Sequence, residues 1–218
     1  MATSYDAFMP WVLINVPGVA EVAATQAVKD ATIEFCELSL VHQADHDPVT
    51  VVANLVDYDL EAPVTGTRVF KVMRAWFKGK MLSPAAPDQV NDPSVYNQSI
   101  PGYEEKTGDP AAYLQKDSST FSLMPIPTTT VANAVTMRVA LVPLRSATTI
   151  ADFLYENWGE FIAHGASARL LSMINRPWSN PNAAAYHRTR FQVGVNQARL
   201  QANKGYTRAN LQMQFRRI

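Results

Sequence analysis

The spacing of apolar residues along this chain changes three times, from a period near 3.6 to a period near two, back, and to alternation again in the last dozen or so residues, which limits the folds open to it. Between about residues 20 and 41, Ala24, Val28, Ala31, Phe35 and Leu38 recur at alternating steps of four and three, while Lys29, Asp30, Glu34 and Glu37 fall off that stripe. A helix with one apolar face is predicted there. Alternation then takes over at Val49, Val51 and Ala53, at Val69, Lys71, Met73, Ala75 and Phe77, and again over 121–124 and 135–141. Strands are predicted over these segments, with Lys78-Gly79-Lys80 as a turn. Between them, residues 83–119 are rich in Pro, Asp, Asn and Gly and read as a long surface loop.

Helical spacing returns at Thr149, with Asp152 three residues on as an acidic variant of the capping box. Ile150, Leu154, Trp158, Phe161, Ile162, Ala166 and Leu170 make a wide apolar face that Asn175-Arg176-Pro177 ends. Gly159 and Gly165 weaken this helix intrinsically, so their expected use is to let another backbone approach. Ser179 or Asn180 caps a further helix, with Pro181 in its first turn and Gly205 past its last. Within it, Ala184, Arg188, Phe191, Val195, Ala198 and Ala202 keep the four-and-three spacing, and Arg199 falls on a neighbouring line. After Gly205, Leu211, Met213 and Phe215 alternate with polar residues. Such a tail fits strand addition to a neighbouring subunit or partner, an edge strand on the chain's own sheet, or disorder. Tyr5 to Leu13, closed by Pro17-Gly18, reads as a docking arm or short helix.

The expected fold is therefore α+β: a bundle of long helices, one N-terminal and two C-terminal, with a β-rich insertion and an extended C-terminal tail. The expected divisions are 1–44 for the N-terminal arm and first bundle helix, 45–147 for the β-rich insertion, 148–204 for the two C-terminal helices, and 205–218 for the tail. With 218 residues, 47% of them hydrophobic, the chain has material for one generous domain or two small ones.

Charge divides the chain unevenly. The last 58 residues hold nine Lys and Arg and no Asp or Glu, whereas the first 160 hold nineteen acids and ten bases. Either the basic segment lies against the acidic body of its own fold, or it meets a polyanion or an acidic partner. Arg188, Arg190, Arg199 and Lys204 are the candidate basic contacts within the helix. Nonspecific phosphate binding is within reach of this charge, but no base-reading module is present and the basic residues are dispersed.

Catalytic motifs are missing from the sequence: there is no phosphate-cradling glycine loop, paired-Cys zinc spacing, nucleophile elbow or His-Glu metalloprotease helix. The expectation is a non-enzyme with no cofactor, an active site remaining open only as a constellation assembled in three dimensions. Cys36, the sole cysteine, excludes an internal disulfide and reads as a buried structural thiol. His42 and His46 near Asp45 and Asp47 read as a solvated helix-end loop rather than a metal site. Asp57, Asp59 and Glu61 read as a solvated strand edge rather than a cation site. No run of about 18 apolar residues marks a membrane span. Pro10 interrupts the apolar stretch from Met9 to Val16 and Asp6 precedes it, so no signal peptide is expected. The protein is expected to stay in the compartment where it is made, without a membrane partner.

Certain segments carry a family likeness. Tyr5-Asp6-Ala7-Phe8-Met9-Pro10-Trp11-Val12 with Pro17-Gly18, and Ala31-Thr32-Ile33-Glu34-Phe35-Cys36-Glu37, resemble the N-terminal arm and the end of the first helix of the head-to-tail adaptor (connector) proteins of tailed bacteriophages. Ile162-Ala163-His164-Gly165-Ala166-Ser167-Ala168-Arg169-Leu170-Leu171, followed by Pro177-Trp178-Ser179-Asn180-Pro181, is the more specific pair. The resemblance implies a structural virion protein at the neck, assembled in the host cytoplasm, that forms a ring of commonly twelve copies below the portal. It implies contacts with further copies of itself, with the portal protein, with a tail or nozzle protein, and transiently with DNA in the lumen. The tail residues Tyr206, Arg208, Leu211, Met213, Phe215, Arg216 and Arg217 would engage the portal, and Arg188, Arg190, Arg199 and Lys204 would face portal or DNA. The alternative is a nonspecific DNA-binding protein that uses the same basic segment.

Overall fold

The computed structural model describes residues 2–86 and 107–205. The first half runs β1 (Ala2–Ser4), a 3-10 helix (Tyr5–Phe8), α1 (Met9–Asn15), α2 (Glu21–Ser39), β2 (Gln43–Val51), β3 (Asp57–Asp59), β4 (Thr67–Phe77), β5 (Lys80–Met81) and β6 (Ser83–Pro84). There follow β7 (Ala112–Gln115), β8 (Thr120–Met124), β9 (Val131–Pro143), β10 (Thr149–Ala151), α3 (Asp152–Leu171) and α4 (Pro181–Lys204). The chain forms two compact units, one from the segments up to His42 and from Arg145 onward, the other from Gln43–Leu144.

In the helical unit, local chemistry sets the helix ends. Pro10 occupies the first turn of α1, where its missing N–H costs nothing. Leu40 closes α2 in the left-handed region at φ 55°, donating its N–H to the Cys36 carbonyl. Asn180 caps α4 by accepting from the Ala183 N–H at 3.1 Å. Apolar faces of the four helices meet at Phe8, Val12, Val28, Ala31, Phe35, Leu154, Ile162, Ala166, Phe191 and Val195, all fully or almost fully buried. Contact is close because side chains are missing where the helices cross. A Cβ on Gly165 would lie 2.5 Å from the Phe191 ring and 3.2 Å from Ala31 Cβ, and one on Gly194 would overlap Phe161. The two glycines thus let α3 and α4 interlock, each receiving an aromatic ring from the other helix.

In the β unit, two four-stranded sheets, ordered β2-β9-β4-β5 and β3-β8-β7-β6, share one core. Val72, Phe77, Val135, Met137 and Leu141 from the first sheet pack with Tyr58, Tyr113, Phe121 and Leu123 from the second. The β4–β5 hairpin turns through Lys78 (φ 49°) and Gly79 (φ 79°), two positive φ values that suit the right-handed twist of the flanking strands. Register shifts between Val69 and Lys71 and between Val72 and Arg74 interrupt the β4–β9 ladder. They carry Val69, Val72, Ala75 and Phe77 inward and leave Lys71 outside, so simple alternation does not hold along β4. Gln115 takes up the backbone groups at this irregularity: its Oε1 accepts from the Val72 N–H at 2.8 Å and its Nε2 donates to the Phe70 carbonyl at 3.3 Å. Gln115→Leu strands both groups and is expected to lower the stability of the β unit by about 1–3 kcal/mol. Urea unfolding followed by tryptophan and tyrosine fluorescence measures this, and an unchanged midpoint would refute it.

The expected bundle of long helices with a β insertion is not what the chain forms. Among the described residues, four α-helices and ten strands are arranged in two units with three sheets, one of which, β1 with β10, lies in the helical unit. The β segment closes a core of its own between two sheets, so it is a folded body rather than an elaboration of a helical one. Periodicity reports which residues face a core and not how many cores there are. Three local expectations change too. Thr149–Ala151 does not begin a helix, because it pairs antiparallel with Ala2–Ser4, and α3 starts at Asp152, whose Oδ1 accepts from the Thr3 hydroxyl at 2.6 Å. The expected loop at Asp45, His46 and Asp47 is part of β2, paired with β9 from Gln43 onward, and His42 before it is 5% exposed. The expected 83–119 loop contains β6 and β7, which pair in parallel.

Candidate functional site

The charged groups of the helical unit converge on α2. Asp30 and Glu34, one turn apart, face three arginines from later in the chain. Arg145 Nη1 meets Asp30 Oδ1 at 2.5 Å, Arg169 Nη2 meets Glu34 Oε2 at 2.5 Å, and Arg188 Nη2 meets Glu34 Oε1 at 2.8 Å. Glu34 is about one-fifth exposed. Burial works to raise its pKa, but hydrogen bonds from Arg188 and Arg169 outweigh that and hold the carboxyl below its ordinary range. Beside this cluster, Ala168, Arg169, Ser172, Ala184, Ala185 and Arg188 line a cleft of about 530 Å³.

Across the α3–α4 contact, His164 and His187 meet Nδ1 to Nδ1 at 2.7 Å, with ring centroids 4.9 Å apart. At that separation the two nitrogens point almost straight at each other, as in an N–H···N bond between neutral rings. Burial lowers the pKa of both rings; the neighbouring His164 lowers that of His187 further, while Glu160 partly opposes the shift at His164. Trp11, Ile14, Asn15, Glu160, Ala163 and His164 line a second cleft, of about 310 Å³.

The basic residues singled out from the sequence fall in different places. Arg188 is on Glu34, with its guanidinium 5.5 Å from the Phe191 ring centre. Arg199 donates from Nε and Nη2 to the Leu38 carbonyl at 3.2 and 2.9 Å, satisfying the C-terminal end of α2. Arg190 lies 4.0 Å from Glu160 and over Phe161, and Lys204 is exposed in the last turn of α4. Tyr206, Arg208, Leu211, Met213, Phe215, Arg216 and Arg217 lie outside the described residues. Of the acidic strand residues, Asp57 accepts from Lys116 Nζ at 2.7 Å and Ser122 Oγ at 2.6 Å, bonds that lower its pKa. Cys36 is buried, which pushes its thiol up to about 12. Among the described residues, no group of three or more His, Cys, Asp and Glu is placed to hold a metal ion, and no helix is long and apolar enough to cross a membrane.

Sequence reasoning missed Glu34 as the focus of two arginines, since 135 and 154 residues separate the partners. It also missed the histidine pair, although a signal exists: His164 and His187 stand at similar distances from the short link between α3 and α4.

No match among curated proteins was found for the chain. The SU10 adaptor protein family matches residues 5–214, from the 3-10 helix before α1 to beyond α4. With that match covering nearly its whole length, the chain belongs to the SU10 adaptor protein family, a family of phage head-tail adaptors.

Proposed function

We propose that this adaptor forms a ring, of twelve copies, at the neck of the virion, where it joins the portal to the tail and leaves a lumen for DNA. The observation that carries the reading is the family match over residues 5–214, which takes in both compact units together. The role is structural rather than catalytic. Assembly takes place in the host cytoplasm, and the contacts are with other copies, the portal protein, a tail or nozzle protein, and passing DNA. The segment 206–218, with Arg208, Arg216 and Arg217 and no acid, is the portal-binding element, by strand addition or by charge. The alternative of a nonspecific DNA binder draws less support, because the family match is to phage head-tail adaptors and Arg199, one of the candidate phosphate contacts, is taken up by the Leu38 carbonyl.

Co-purification from the source lysate, comparing the full chain with a version ending at Gly205, tests this reading. Recovery of a large ring-forming portal protein by the full chain alone is the expected result. Nucleic acid recovered by both versions, with no protein partner, would replace the adaptor reading with the DNA-binding one.

A further inference from the structure

The ring proposed above is the premise here, and the inference concerns which surfaces close it. A ring built from identical copies needs a heterologous contact, in which two different patches on opposite sides of each copy meet in turn. Helix α3 carries two such patches. Glu160 and Arg169 are nine residues apart, two and a half turns at about 3.6 residues per turn, so they project to opposite sides of the helix.

On one side, Glu156 and Glu160 are exposed one turn apart. The Glu160 side chain is 68% exposed, and its neighbours are only at long range, the Arg190 guanidinium at 4.0 Å and the His164 ring, whose lowered pKa keeps it neutral, at 3.7 Å. On the other side lies the 530 Å³ cleft, with Ala168, Ala184 and Ala185 in its wall and Arg169 and Arg188 at its rim. Those two arginines share a single carboxylate, Glu34, so the cluster is one positive charge in excess. The Arg188 side chain is half exposed and has donors to spare for an incoming carboxylate.

We propose that the Glu156–Glu160 edge of one copy docks into the Arg169–Arg188 cleft of the next. A second carboxylate then balances the two arginines, and Ala184 and Ala185 are small enough to let the neighbour's helix come close. The repeat of this one contact from copy to copy is what closes the ring.

Cysteine trapping tests the contact in the full chain, whose one native cysteine, Cys36, is buried. Glu156→Cys combined with Ala185→Cys is expected to give, on mild oxidation, a ladder of cross-linked species extending beyond the dimer. In that background Arg188→Glu is expected to lower the cross-linking yield about tenfold or more, since like charges brought face to face repel strongly. Glu34→Gln is expected to raise it, because it leaves the cleft with a second excess charge; a residue acting only in folding would not do so. In the chain without added cysteines, Arg188→Glu or Glu156→Arg alone should break up rings seen by mass photometry. The two together should restore them, which also shows that both variants fold.

The outcomes separate the two claims. Rings formed by the unmodified chain with no ladder from the cysteine pair would overturn this contact and leave the ring reading standing. A ladder indifferent to Arg188→Glu would overturn the charge pairing. Neither rings nor ladder, with or without the co-purifying partner, would overturn both.

Discussion

Phe191→Ala is expected to destabilise the helical unit by about 3–5 kcal/mol, among the largest effects available to a single substitution in this chain. The ring is fully buried, meets Phe35 edge to face at 5.9 Å, and fills the space that Gly165 leaves on α3. Its removal opens a cavity that rigid helices on three sides cannot collapse into. The same geometry predicts a strong dependence on the neighbour. Gly165→Ala alone puts a methyl 2.5 Å from a ring held in place by Phe35, and overpacking of that kind costs about 1–3 kcal/mol. With alanine at 191 the methyl has room. Ala31 Cβ at 3.2 Å must give slightly, and the helix recovers the roughly 1 kcal/mol that glycine costs it. The double variant is therefore expected to be clearly more stable than the sum of the two losses allows. A denaturation cycle on the four proteins, followed by far-ultraviolet circular dichroism, measures the coupling. Additivity within about 0.5 kcal/mol would mean that the two residues do not share this space.

The coupling of Gly165 to Phe191 also shows what the sequence could and could not convey. That a glycine inside an apolar helix stripe serves close approach follows from its missing side chain, and the spacing around Phe35, Ile162 and Phe191 identifies the buried faces. Which ring enters which gap depends on how two helices are placed in space, and no local pattern holds that. Strand β4 makes the same point in another way. Alternation through Val69, Lys71, Met73, Ala75 and Phe77 puts a lysine on the inner face; the register shifts replace it with Val72, and Gln115, more than 40 residues later, stabilises them. The fold class escapes a local reading of the sequence for the same reason. Pairing of Ala2–Ser4 with Thr149–Ala151, and of two sheets over one core, are long-range events whose signals lie at the far ends of the chain segments involved. In the candidate site, the basic character of α4 was plain from composition. Its division into residues that brace α2, such as Arg188 and Arg199, and others that do not was invisible until Glu34 and the Leu38 carbonyl were in place.

Acid is expected to weaken the helical unit over a definite range, and His42 is expected to be the main cause. Its ring is 5% exposed, packs edge-on to Phe153 at 5.3 Å, and has an Nδ1 with no hydrogen-bond partner. Burial alone lowers its pKa from 6.5 to about 4, because an imidazolium there would lose its hydration and gain no carboxylate. The unfolded chain takes up a proton near pH 6.5 while the folded chain resists it down to about pH 4. Stability is therefore fully present above pH 6.5 and falls as the pH drops toward 4, by about 3 kcal/mol at about 1.4 kcal/mol per unit. His164 and His187 act in the same direction, since burial lowers both and protonation of the pair would break its shared hydrogen bond. His42→Leu keeps the apolar contact with Phe153 and removes the group that must charge, so its stability should change much less over that interval. Melting temperatures of the two proteins at a series of pH values between 7 and 4 decide the matter. If both curves fall with the same slope, the acid sensitivity belongs to the α3–α4 histidine pair and to Glu34, and His164→Gln with His187→Gln should then flatten the part of the curve above about pH 5, where the carboxylate is still ionised in either state.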